Sequence, residues 1–105
     1  MVTMTPGEWQ MVGSAIVAWS GWGHAPWPLR DDRLVARRFG EQAAALLLPL
    51  LRAVVAEFYS SDARATAIDL TEMERLCVAH FSGKHPELSQ DAVRALAWCY
   101  TFDNR

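Results

Sequence analysis

The sequence predicts an all-α fold: a compact single-domain bundle of about five helices, with a proline-interrupted hydrophobic helix at its centre. Three observations carry this. Every long apolar segment repeats at helical spacing. Each is opened by a capping residue and closed by glycine, proline or a polar turn. No segment alternates apolar and polar residues as a half-buried strand requires. The 105 residues suit one domain over 1–105, built on a single core.

The first helix is expected over residues 6 to 20. Thr5-Pro6-Gly7-Glu8 has the form of a capping box with proline at the first helical position, and Met4 with Trp9 forms a staple. Trp9, Val12, Ile16 and Trp19 share one stripe, and Gly13 beside it leaves room for another helix. Gly21 to Leu29, GWGHAPWPL, is irregular, because two prolines and two glycines interrupt any regular structure. Asp31 or Asp32 caps a short helix to Phe39, which Gly40 closes in a left-handed conformation.

Glu41 to Tyr59, EQAAALLLPLLRAVVAEFY, is apolar around most of its circumference, the mark of a helix enclosed by others. Ala43, Leu46, Leu47, Leu50, Val54 and Phe58 are the expected core set, with Arg52 and Tyr59 facing away and Glu57 on the edge. Pro49 removes the bond to the Ala45 carbonyl and predicts a kink or a break. A polar connection follows from Ser60 to Thr66. Asp69 with Glu72, or Thr71 with Glu74 two residues later, then caps a helix to about Ser82, with Ile68 stapled to Met73, Leu70, Met73, Cys77 and Phe81 inward, and Gly83 as the stop. The last helix opens at Ser89, staples Leu88 to Val93, and buries Val93, Leu96, Ala97 and Tyr100.

Composition excludes several functions. A net charge of -2 gives no basic surface for nucleic acid or anionic lipid. The apolar stretch, cut by Pro49 and Arg52, is expected to fall short of the ~20 residues that cross a bilayer. No positive charge precedes Arg30, so no export signal is expected, and Cys77 and Cys99 are read as reduced, buried thiols of a cytoplasmic protein. Nine arginines against the single Lys84 reflect the codon usage of a GC-rich genome.

Four groups of residues carry chemistry worth weighing. Trp19, Trp22, His24 and Trp27 crowd one loop, where exposed tryptophan faces bind partners and packed ones close the end of a bundle. Trp98 lies opposite the core side of its helix, toward Asp91 and Arg94, which predicts a second contact surface. Val35-Ala36-Arg37-Arg38-Phe39-Gly40 resembles the first helix and turn of helix-turn-helix domains, implying a DNA binder through Arg33, Arg37 and Arg38. The helix that would then read bases offers alanines and leucines after Gln42 and belongs to the core.

Cys77, His80 and His85 are metal-ligand types, but a fourth ligand and a paired spacing are missing, so no metal is expected. Glu57, Tyr59 and His24 are the candidate residues for a small-ligand site or a minor enzyme, with an ion pair from Glu57 to Arg33 or Arg75 as the simpler account. No motif calls for a cofactor. The leading expectation is a small cytoplasmic interaction protein, a homodimer or the inhibitor or regulator of a larger protein partner, acting through Trp22, His24, Trp27 and Trp98 and a helix face.

Overall fold

The computed structural model describes residues 3–60 and 67–104. Among them are five helices: α1 (Pro6–Ser20), α2 (Asp32–Phe39), α3 (Glu41–Tyr59), α4 (Leu70–Lys84) and α5 (Gln90–Asp103). They form one compact all-α bundle without strands. The radius of gyration is 13.2 Å, close to the ~13 Å expected of a single domain this long. The connection expected at 60–66 falls, after Ser60, outside the described residues.

Local chemistry sets the helix ends. The Thr5 hydroxyl accepts from the Glu8 amide at 3.2 Å and the Glu8 carboxylate accepts from the Thr5 amide at 2.9 Å, closing the capping box. Asp31, Asp69 and Ser89 cap α2, α4 and α5 in the same way. Gly21 ends α1 at φ 78°, and a Cβ there would lie 3.0 Å from both Ala25 Cβ and Leu29 Cδ1, so only glycine suits the position. Gly40 departs from its expected left-handed cap: its φ is 90° but its ψ is 159°, extended. That single residue closes α2 and opens α3. Gly83 does not stop α4, which continues through it to Lys84.

The enclosed helix is α5. Ala92, Val93, Ala95, Leu96, Ala97, Cys99 and Tyr100 are all buried, and α5 packs on α4 and α1 and also meets α3. Alanines let these neighbours approach closely. From α1, Gly13 faces the start of α5, where an added Cβ would sit 3.2 Å from Ser89 Oγ and 3.6 Å from Ala92 Cβ.

The described residues do not enclose α3, which packs by one stripe mainly against α2 and α1. That stripe is Ala44, Leu47, Leu51, Val54 and Phe58. Leu46, expected in the core, is 74% exposed, while Ala43 and Leu50 are half-buried. The helix is rotated about its axis relative to the expected face, because apolar side chains all round give the sequence nothing to fix the rotation. Pro49 neither breaks nor ends α3. It lies on the solvent side, where water can satisfy the Ala45 carbonyl that it leaves without a donor. Unbroken, the 19-residue α3 is long and apolar enough to cross a membrane by length and composition, contrary to the expectation from Pro49 and Arg52.

Two further expectations fail at the start of α4. Leu70 is 41% exposed and Ile68 is 87% exposed, so neither joins the core and the Ile68–Met73 staple does not form. Met73, Cys77 and Phe81 are buried as the helical period requires.

Candidate functional site

The aromatic loop folds back along α1. The Leu29 amide donates to the Ser20 carbonyl at 2.9 Å and the Asp31 amide to the Trp19 carbonyl at 3.1 Å. Arg30 between them is held at φ 54°, an uncommon conformation for a residue with a side chain. Its guanidinium grips both oxygens of Asp103 on α5, with Nη1 2.9 Å from Oδ2. Tyr59 at the end of α3 donates its hydroxyl to the same oxygen at 2.8 Å. This cluster ties the loop, α3 and the end of α5 together.

Asp103 sits below its ordinary pKa: burial opposes the carboxylate, but the bonds from Arg30 and Tyr59 more than offset it. Burial, followed by the bond to Asp103, raises the Tyr59 hydroxyl. Burial likewise raises the nearby Cys99 thiol from 9.0 to about 11. A group raised by folding stabilises the fold fully below its unfolded pKa, and that contribution is lost as pH rises through the folded value. Thermal unfolding is therefore expected to show stability falling between pH 9 and about 11, with the fall reduced in Cys99→Ala.

The loop tryptophans divide. Trp22 is half-buried and packs against the core, the bundle-closing role. Trp19 is also half-buried, with Nε1 donating to Asp32 Oδ1 at 3.1 Å. Trp27, by contrast, is 56% exposed. Beside it, Pro26 joins Trp98 and Phe102 of α5 and Leu70, Thr71 and Glu74 of α4 in an open cleft of about 260 Å³. Trp98 and the edge of the aromatic loop thus meet on one surface.

His24 lies elsewhere. It lines a groove of about 760 Å³ between α1, α2 and the start of α5, with Gly13, Ser14, Arg37, Arg38 and Asp91 among the other walls. Of the three arginines considered for DNA, Arg33 is ion-paired with Asp31 at 3.0 Å. The exposed face of α3 after Gln42 carries Ala45, Leu46, Pro49, Ala53 and Ala56, with Arg52 as its one charged side chain and that already ion-paired with Asp32, so it offers little to read base edges.

Glu57 pairs with His85, not with an arginine: Nε2–H of the buried imidazole donates to Oε2. The ring lies against Trp9 and Phe81, each with centroids 4.9 Å away. Glu57 also lines a pocket of about 210 Å³ with Phe58, Ser60, Cys77, His80, Phe81 and Lys84. Glu57, Tyr59 and His24 do not form a common site. The first lines this pocket, the second holds Asp103, and the third lines the α1–α2 groove. Cys77 and His80 share the pocket while His85 is engaged with Glu57. Among the described residues no three His, Cys, Asp or Glu side chains group as a metal site would require.

No family model, curated protein or solved structure matches the chain.

Sequence reasoning found Trp98 from its position opposite the core side of its helix. It read Phe102 likewise as apolar surplus beyond the expected end of α5, and missed Leu70, beside it in the cleft, because Leu70 fits the inward period of α4. It also missed Asp103 and the pairing of His85, since neither has a sequence-local signal.

Proposed function

We propose that the chain is a protein-interaction module whose partner docks on the surface around Trp98. The observation that carries this reading is the cleft itself. It places Trp98, Phe102, Leu70 and Pro26 together with Glu74 as the charged wall residue; exposed Trp27 follows Pro26 in the chain, and exposed Ile68 lies two residues before Leu70. Aromatic side chains set in a recess with a polar rim are the composition of interface hot spots. An apolar side chain of the partner fills the cleft, and Glu74 favours a neighbouring basic residue.

The test is affinity capture from the source lysate with wild type, Trp98→Ala and Leu70→Glu, quantified by mass spectrometry. A partner retained by wild type and reduced at least ~10-fold by both substitutions is expected, the loss typical of a hot spot. Both variants should keep the wild-type helical circular dichroism. If both unfold, the residues belong to the core and the reading fails. If capture is unchanged in folded variants, the partner does not use this cleft.

A second reading has one observation in its favour. The pocket beside Glu57 combines a carboxylate held by His85 with His80, Lys84 and Ser60, polar groups that suit a small charged ligand.

A further inference from the structure

The groove between α1, α2 and the start of α5 gathers side chains that the surface around Trp98 leaves unused. His24 from the aromatic loop and Arg37 and Arg38 from α2 line one recess of about 760 Å³. That volume falls within the roughly 300–1,000 Å³ of small-molecule sites. None of its lining residues belongs to the Trp98 cleft. We propose that this groove binds a small organic anion, with a carboxylate or phosphate end held by Arg37 and Arg38 and an apolar body laid along α1.

Positive charge without a counter-ion argues for the anionic end. The two acids at the start of α2 are committed elsewhere, Asp31 to Arg33 and Asp32 to Arg52. Arg37 and Arg38 form no ion pair among the described residues. The Arg38 guanidinium lies 5.6 Å from the centre of the Phe39 ring, a contact that restricts it without neutralising it. Guanidinium groups present forked donors that match the oxygens of a carboxylate or a phosphate. Asp91 is the one acid among the described lining residues. Two guanidinium groups thus share the groove with one carboxylate, and a positive excess remains.

The floor argues for the apolar body. Val17, Ala18 and Leu34 are half-buried there, and Gly13 and Gly21 contribute no side chain. Gly13 to Gly21 spans about 12 Å along α1, room for fused aromatic rings or a medium alkyl chain. Nucleic acid and acidic protein segments spread their charge along their length. Here the two arginines are consecutive on one helix and the floor is apolar, which suits a ligand charged at one end. The groove is open to solvent, so a modest affinity, micromolar to millimolar, is expected.

The test is calorimetric titration of the full chain with naphthoate and with naphthyl phosphate, which separate the two anionic ends. Naphthylmethylammonium has the rings with the opposite charge, and acetate has the charge without the rings. At least one of the two ring anions is expected to bind at a single site, ~10-fold or more tighter than either control. Arg37→Gln combined with Arg38→Gln should weaken that binding at least ~10-fold, through loss of charge-assisted hydrogen bonds. Ser14→Phe, made at an exposed lining position, should fill the groove and abolish binding. Asp91→Asn should act in the opposite direction and tighten it ~2-fold, because a like charge is removed. Each variant should keep the wild-type circular dichroism; if Ser14→Phe unfolds, the arginine and Asp91 variants decide. Failure of both ring anions to bind, equal binding of the ammonium, or indifference to the arginine substitutions would overturn the proposal. So would tighter binding of a polyglutamate peptide or a random DNA duplex than of either ring anion. None of these outcomes bears on the Trp98 cleft.

Discussion

Replacing His85 with alanine is expected to lower the unfolding free energy by about 3–5 kcal/mol, the loss of a hydrogen bond to a buried carboxylate combined with a large-to-small substitution in the core. Two losses combine. The Glu57 carboxylate, with only 13% of its side chain exposed, is left without its donor. The space between Trp9 and Phe81, where the imidazole lies against both rings, becomes a cavity. Glu57→Gln should cost less, about 1–2 kcal/mol, because an amide still accepts the His85 bond without burying a charge. Guanidinium unfolding of both single variants and the double variant closes a cycle, and a coupling of at least ~1 kcal/mol is expected for groups in contact. Independent effects would show that the pair is incidental.

The second large effect lies on α5. Leu96→Ala is expected to cost about 2–5 kcal/mol, because Leu96 is fully buried in the helix that α1 and α4 enclose. Cavity formation dominates there, since neighbours already packed on three alanines have no side chains free to collapse inward. Leu46→Ala removes the same atoms from a residue 74% exposed and should stay within about 0.5 kcal/mol of wild type. From sequence the two leucines look alike, and α3 looks like the better core helix.

That contrast marks where sequence reading worked and where it stopped. Helix starts were legible because their chemistry is local: Thr5 with Glu8, Asp31, Asp69 and Ser89 each act within three residues. The existence of all five helices follows from those signals together with the apolar period. The rotation of α3 was not legible, since a helix with apolar residues on every side carries no polar face to point it outward. The enclosure of α5 was under-read for the opposite reason. Ala92, Ala95 and Ala97 are weak apolar signals, yet small side chains are what permit close packing on both flanks.

Contacts between distant segments formed the other gap. Arg30 and Asp103 are 73 residues apart, and Glu57 and His85 are 28 apart; no spacing rule connects either pair. Of the candidate site, Trp98 was readable because helical period alone puts it off the core face. Trp22 and Trp27 share one loop and one composition, and only the packed chain separates the half-buried ring from the exposed one.

The account of the fold rests on the outer face of α3 being surface that folding leaves open. Guanidinium unfolding of Leu46→Lys, beside wild type, tests this most directly. An unchanged slope and a stability within about 1 kcal/mol of wild type are predicted, as for a surface substitution. A loss of several kcal/mol with reduced cooperativity would contradict it, because a lysine at Leu46 would then be entering the core.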